Sequence, residues 1–244
     1  MNTFAQSALS AWQLVVSGDP VLLAIVGRSL AVSASACAIA CGFGLLLGAW
    51  LGVARFRGRG LVLTLLNTLL ALPSVVVGLV VYLLLSRSGP FGALGWLFTF
   101  KAMVLAQAVL VLPVVTALTR QAIDDADRAH GEQLRSLGAG PWVRAVLLVW
   151  DERYALVTVL IAAFGRAVSE VGAVMVVGGN IDGFTRVMTT AIALETSKGD
   201  LPLALALGLL LLLVVLALNA LVALVRSWRE RVDGGAAVAL GVGG

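Results

Sequence analysis

The sequence has little charge, few aromatic rings and almost no reactive side chains. Charged residues make up 12% and aromatic residues 7% of the 244 positions, with two cysteines and one histidine. An ordinary soluble domain is about 25% charged. So few cysteines and histidines exclude a disulfide framework or a cysteine–histidine metal centre. The chain also lacks GxxxxGK[ST], HExxH and GxSxG sequences, so a nucleotide-binding loop and the corresponding hydrolases are not expected.

The few reactive side chains that are present have structural explanations. Cys37 and Cys41 lie one helical turn apart in an apolar stretch, where small side chains favour close packing. His130 lies in a polar segment without a second histidine or cysteine beside it, and we interpret it as a solvated residue.

Apolar residues are abundant. They form 60% of the chain, and the mean hydropathy is +1.03. A soluble fold of this length could not bury so much apolar surface, so the composition predicts a membrane protein. The net charge of +4 fits the excess of basic residues in cytoplasmic loops and does not require a nucleic-acid partner.

Five apolar segments are each long enough, or nearly so, to cross the bilayer, which needs about 20 residues in a helix. We therefore predict an all-α, polytopic membrane protein with five transmembrane helices within residues 30–225. The predicted spans are Leu30–Val53, Leu61–Leu85, Ala102–Leu118, Ala155–Val177 and Leu201–Val225.

Residues 1–29 are predicted to form an extracytoplasmic or interfacial segment, because their apolar side chains share one helical face. Asp19 and Pro20 are predicted to break that helix. Residues 226–244 are predicted to form a cytoplasmic tail, disordered from Gly234 onwards. The side chains on the shared face are Phe4, Ala8, Trp12, Val15 and Val16.

The arginines and lysines predict the orientation of the chain. They concentrate between the first and second spans, between the third and fourth, and after the fifth. Because cytoplasmic loops carry the basic excess, the N-terminus is expected outside and the C-terminus in the cytoplasm.

The segment of residues 120–153 is the longest polar stretch and contains two helical patterns. Asp124, Asp125 and Asp127 are interpreted as the start of a helix. Gly138 and Gly140–Pro141 then predict a turn before a second amphipathic segment. Such a pair could insert into a groove of a soluble partner, or it could be a surface hairpin without a partner.

The fourth predicted span contains Arg166 and Glu170, four residues apart on one helical face. A charged side chain in the bilayer costs about 2.5–3.5 kcal/mol, so pairing is expected. The pair is either a structural contact inside the bundle or part of a path for an anionic substrate.

The other predicted spans contain prolines and amide side chains. Pro73 and Pro113 each remove a helix hydrogen bond and predict kinks. Asn67, Gln107 and Asn219 are predicted to bond neighbouring helices.

The polar segment of residues 120–153 resembles the EAA loop of ABC importer permeases, whose pattern is E-A-A-x3-G-x9-I-x-L-P. Glu132 and Gly138 match it, and Leu148 stands at the isoleucine position. Trp150 and Asp151 stand in place of leucine and proline, so the second half departs from the pattern. The resemblance implies that this loop contacts a separate ATPase subunit through Glu132, Gln133, Leu134, Ser136, Leu137 and Gly138.

Four further stretches, within about Leu30–Leu224, resemble permeases of the molybdate, sulfate and tungstate type. The stretch 164–180 is similar to their F-x-R-A-x-x-E-x-G-A pattern ending in G-N, and the stretches 73–78 and 83–90 also fit. The stretch 189–200 is most like the tungstate branch.

This resemblance implies a type I permease that works as a homodimer, binds no cofactor itself and leaves ATP to the partner. It also implies an oxyanion-binding protein outside the cell, contacted through Gly179, Asn180, Arg186 and Lys198; an ordinary connecting loop is the alternative. The expected cargo is tungstate, with molybdate or sulfate as alternatives.

Two other classes of protein remain open from the residues alone. An ion-coupled secondary transporter could use Arg166 and Glu170 as a relay, but such proteins usually contain internal repeats. A membrane scaffold could recruit an enzyme through the loop, but it would not explain the intramembrane charges.

Overall fold

The computed structural model describes residue 9, residues 12–13 and residues 16–239, with side chains through residue 228 except residue 226. The predicted interfacial helix falls mostly outside these residues. Between residues 20 and 239 all regular structure is helical: α1 Pro20–Val53, α2 Arg59–Leu70, α3 Ser74–Leu85, a 3-10 turn Gly92–Leu94, α4 Phe100–Ser136, α5 Pro141–Asp151, α6 Arg153–Val168, α7 Gly172–Gly178, α8 Met188–Lys198 and α9 Leu201–Ala239.

The described helices include three to five candidate membrane spans. Three of them, α1, α4 and the Leu201–Val225 part of α9, are individually long and apolar enough to cross a bilayer. Two bent pairs supply the others: α2 meets α3 at 97°, and α6 meets α7 at 57°. The prediction of an all-helical membrane protein is therefore confirmed, and the predicted number of five spans is reached when each bent pair is counted as one span.

The first span is longer than predicted. Asp19 Oδ1 accepts the backbone N–H groups of Val21 (2.8 Å) and Leu22 (3.0 Å), and Pro20 occupies the first helical position. Both residues favour helix initiation. The Asp19–Pro20 pair therefore starts α1, and residues 20–29 belong to the first span rather than to a separate segment.

The prediction of a helix start at Asp124–Asp127 is wrong. Helix α4 is continuous from Phe100 to Ser136 and passes through Pro113. The side chains of Asp124 and Asp127 are buried and pair with arginines from other segments. Tertiary ion pairs, rather than the positive end of a helix, therefore stabilise these carboxylates.

The kink predicted at Pro73 is confirmed. Helix α2 ends at Leu70, and Pro73 caps the start of α3. Proline has no backbone N–H to continue the preceding helix. The break in the second span therefore follows from this residue.

Helices α1 and α4 pack in parallel at very short range. A methyl group added at Gly48 would lie 2.6 Å from Thr119 Cβ and 2.7 Å from the Thr116 carbonyl oxygen. Glycine thus permits backbone contact that a larger residue would prevent. The facing pairs advance together along both chains: Gly44 with Val115, Gly48 with Thr119, and Gly52 with Ile123. Both helices therefore finish at the same end of the molecule, which we call the coupling end.

The polar residues of the spans and the tail give mixed outcomes. Gln107 donates to Ser33 Oγ of α1, as predicted, whereas Asn219 donates to Val215 of its own helix. Asn67 is exposed. Helix α9 continues to Ala239 through part of the tail predicted to be disordered, in agreement with the high helix propensity of alanine.

Candidate coupling surface and intramembrane ion pair

The segment between α4 and α5 forms a tight turn at the coupling end. Gly138 has φ +79°, and its N–H donates to the Arg135 carbonyl at 2.9 Å. The Ala139 N–H donates to the Leu134 carbonyl at 3.0 Å. This left-handed conformation at a helix end favours glycine, which explains the residue at position 138.

Most of the predicted ATPase contacts lie on the surface of this turn. The Glu132 side chain is 93% exposed, and Leu137 is 82% exposed. Leu134 is half-buried and packs against the cluster formed by α1, α4 and α5. The structure thus brings together the residues Glu132, Gln133, Ser136, Leu137 and Gly138 as an exposed set, with Leu134 beneath them.

Helix α5 is apolar on both of its faces. Ala145 and Leu148 are buried against Ala49 and Ile123 of the membrane helices. The opposite face is also apolar but exposed. An exposed apolar patch of this kind marks an interaction surface. We call it the α5 outer face, and it consists of Trp142, Val143, Val146, Leu147 and Trp150.

A buried ion pair ties α5 to the membrane helices. Arg144 Nε lies 3.2 Å from Asp127 Oδ1, and Arg144 Nη2 lies 3.5 Å from the Val53 carbonyl. The sequence patterns did not predict this contact. Its only signal was an arginine within the apolar repeat of α5.

A second buried carboxylate at the coupling end gathers four arginines. Asp124 lies 3.1 Å from Arg55, 3.2 Å from Arg59, 2.8 Å from Arg128 and 4.0 Å from Arg120. Two of these arginines follow α1, and two belong to α4. The cluster therefore joins the two basic segments that predicted the cytoplasmic side.

Arg166 and Glu170 form an ion pair of 2.9 Å between Nη1 and Oε2. The two side chains differ in environment: Arg166 is 54% exposed and Glu170 is 5% exposed. The carboxylate thus points into the bundle while the guanidinium reaches its outer surface.

Glu170 also organises the break between α6 and α7. Its Oε1 accepts the N–H groups of Val171 (3.1 Å) and Gly172 (3.0 Å), and its carbonyl accepts Thr189 Oγ1 at 2.7 Å. A methyl group added at Gly172 would lie 2.7 Å from Ser74 Oγ, next to the break between α2 and α3. The breaks of the two bent spans therefore meet close to Glu170.

Gln107 lies beside Glu170 in a small polar cavity of about 10 Å³, roughly the room for one water. Its Nε2 donates to Ser33 Oγ at 3.2 Å and to the Ala167 carbonyl. Ser29 and Thr189 add hydroxyl groups to the lining. The amide connects α1, α4 and α6 where the spans bend.

The predicted contacts for a binding protein lie between the end of α7 and the end of α8, and they differ in exposure. Gly179 and Lys198 are exposed, and Lys198 pairs with Glu195 at 3.0 Å. Asn180 donates to the Thr190 carbonyl at 3.2 Å. Arg186 is largely buried and pairs with Asp182 at 3.1 Å. Asn180 and Arg186 therefore stabilise the connection between α7 and α8, while Gly179, just after α7, and Lys198, at the end of α8, are exposed.

These features define a multi-pass helical membrane protein. It has an ion pair at the break of one span and an exposed apolar surface at the coupling end. Residues 44–231 match a protein family. This family is described as "Binding-protein-dependent transport system inner membrane component". The chain belongs to this family and is a membrane-spanning component of a transport system.

Three relatives show where the chain lies within the family. It is 42% identical to the tungstate uptake system permease protein TupB of Peptoclostridium acidaminophilum, over 91% of this chain and 97% of that one. It is also 42% identical to a probable anion ABC transporter permease protein of Haloferax volcanii, over 87% and 93%. Identity to the molybdenum transport system permease protein ModB of Escherichia coli K12 is 31%, over 88% and 96%.

Proposed function

We propose that this chain is the permease subunit of an ATP-driven ABC importer whose cargo is tungstate. The observation that carries the proposal is the 42% identity to a tungstate uptake permease over 91% of the chain. The relative named for molybdenum is less similar, at 31%. Molybdate and sulfate, which are tetrahedral oxyanions of similar charge, are the alternative cargoes.

ATP hydrolysis is assigned to a separate subunit that binds the coupling end. The exposed turn around Glu132 and the α5 outer face offer that subunit an apolar surface with a carboxylate beside it. Because α5 is fixed to α1 and α4, movement of the ATPase would move two spans. The chain itself neither forms nor breaks a covalent bond.

The permease is proposed to act as a homodimer, with the outer surface near Arg166 facing the pathway. A guanidinium 54% exposed within a span would be costly against lipid, by about 2.5–3.5 kcal/mol on insertion scales. A second copy and an aqueous path would remove that cost. The positive charge would then attract an anion, while Glu170 holds the guanidinium in place.

The extracytoplasmic side is assigned to the α7–α8 segment. The coupling end carries the arginine cluster around Asp124 and is assigned to the cytoplasm. The exposed Gly179 and Lys198 then face outward, where an oxyanion-binding protein would deliver the cargo. This orientation places the N-terminus outside and the C-terminus inside.

Uptake of labelled tungstate by cells that express the whole transport system tests this function. We expect uptake to stop when ATP hydrolysis by the partner is blocked, and unlabelled tungstate to compete better than molybdate or sulfate. Uptake driven by a proton gradient alone would refute the importer. Stronger competition by molybdate would reassign the cargo.

A further inference from the structure

An apolar groove with a volume of about 410 Å³ lies between α1, α2 and α4 near the coupling end. Trp50, Leu65, Leu69 and Leu112 line it, and Thr116 is its one polar lining residue among those described. This volume lies in the range of sites that bind small molecules, about 300–1,000 Å³. Two of the helices that form it, α1 and α4, cross the membrane, so an apolar chain is a suitable occupant.

The groove is continuous with the arginine cluster. Leu51 lines the groove, and its carbonyl accepts Arg59 Nε at 3.3 Å and Nη2 at 3.1 Å. Trp50, also in the lining, stacks on Phe56 with ring centroids 5.2 Å apart. Phe56 lies between Arg55 and Arg57, so the apolar lining and the positive charge form one surface.

The arginine cluster has more positive charge than its carboxylate can neutralise. Four arginines surround Asp124, which leaves a formal excess of three positive charges. The side chains of Arg55 and Arg128 are 54% and 70% exposed, and so accessible to a further anion. Arg57 is also exposed, and it takes part in none of the ion pairs described for this cluster.

We propose that this surface binds one anionic phospholipid. Its phosphate contacts Arg55 and Arg57, and an acyl chain lies in the groove beside Trp50 and Leu69. Guanidinium groups bind phosphate oxygens through charge-assisted hydrogen bonds, and basic clusters at a membrane surface attract anionic lipids.

Charge complementarity favours a lipid over the other occupants of such a groove. In a two-fold symmetric contact centred on this patch, the patch would face its own copy, and the positive excess would oppose the contact. A free phosphate would match the arginines but would leave the apolar groove unfilled. A phospholipid satisfies both parts of the surface.

Quenching of Trp50 fluorescence tests the proposal on the full chain in phosphatidylcholine vesicles. A small fraction of brominated phosphatidylglycerol or brominated phosphatidylcholine is added, and the part of the signal lost in Trp50→Phe is assigned to Trp50. We expect the Trp50 signal to be quenched preferentially by phosphatidylglycerol. Arg57→Gln should lower that preference by about fivefold, as expected for one arginine at a membrane surface.

Arg87→Gln is the matched control, because Arg87 is an exposed arginine outside the cluster. It should keep the preference. Equal quenching by both lipids would overturn the proposal. Shielding of Trp50 from both lipids would also overturn it, because protein would then occupy the groove. Loss of the preference on adding soluble glycerol phosphate would assign the arginines to a free anion instead. None of these outcomes depends on which substrate is transported.

Discussion

Arg144 of α5 and Asp127 of α4 form a buried ion pair, with Nε 3.2 Å from Oδ1 and side chains 9% and 3% exposed. The pair lies directly beneath the exposed apolar face of α5. Arg144 also reaches the carbonyl of Val53, the last residue of α1. The helix proposed to bind the ATPase is therefore fastened to two spans by a polar contact as well as by packing.

Replacing one partner of this pair should destabilise the protein strongly. Arg144→Met leaves the carboxylate of Asp127 buried without its cation, at an expected cost of about 3–5 kcal/mol. The measurement is the unfolding midpoint of the purified protein in detergent. Arg135→Met is the matched control, because Arg135 lies 4.0 Å from its partner Glu132 and is half exposed. It should change the midpoint little.

The double replacement Asp127→Leu with Arg144→Met separates a charge effect from loss of shape. A buried ion pair replaced by apolar side chains of similar size is often neutral in stability. The double variant should therefore be more stable than Arg144→Met alone. A double variant as unstable as the single one would show that side-chain packing, not the unpaired charge, causes the loss.

Charge reversal at Glu132 should impair coupling without unfolding the protein. The side chain is 93% exposed, so Glu132→Lys changes the surface offered to the ATPase and little else. We expect weaker co-purification of the ATPase subunit and lower ATP-dependent uptake, with an unchanged unfolding midpoint. Asp125→Lys, an exposed carboxylate about two turns earlier on α4, is the control. Unchanged uptake and co-purification in Glu132→Lys would contradict the proposed contact.

Apolar length and local turn residues made much of the fold predictable. Each predicted span overlaps a described long helix or bent helix pair, because the hydropathy of about 20 residues is a strong local signal. Pro73 marked the break in the second span. Gly138 marked the turn after α4, where φ is positive.

The polar contacts between distant segments were not predictable in the same way. Asp124 and Asp127 resembled the first turn of a helix because local sequence does not show which arginines approach them. Their partners lie up to 69 positions away, as for Arg55 with Asp124. The break after α6 was missed for a similar reason. Glu170 caps α7 with its own carboxylate, a role that its pairing with Arg166 concealed.

The stability of the protein should depend more on the acceptor oxygen of Glu170 than on its charge. Glutamine at this position can still accept the N–H groups of Val171 and Gly172, whereas leucine cannot. Glu170→Leu should therefore cost about 1–3 kcal/mol more than Glu170→Gln, because buried donors lose their partner. Unfolding midpoints of the two variants provide the comparison. Equal midpoints would show that the cap contributes nothing.

Exchanging the charges of Arg166 and Glu170 should not restore the stability of the protein. Arginine at position 170 has no acceptor for the two N–H groups, so Arg166→Glu with Glu170→Arg should remain unstable.

Arg166 itself is best tested through transport, because its side chain is half exposed. Arg166→Lys should keep more anion uptake than Arg166→Gln at similar stability. Equal uptake by these two variants would exclude a role for the positive charge.

The contact between α1 and α4 should tolerate no added methyl group at Gly48. A Cβ there would lie 2.6 Å from Thr119 Cβ and 2.7 Å from the backbone oxygen of Thr116, so the helices would have to separate. Overpacking of this kind costs about 1–3 kcal/mol. Gly42→Ala is a matched control on the same helix, since nothing lies within 4 Å of its added Cβ. Alanine should be neutral or stabilising there, by up to about 1 kcal/mol. Unfolding midpoints that fall equally for both variants would show that the close approach of α1 and α4 does not determine the effect.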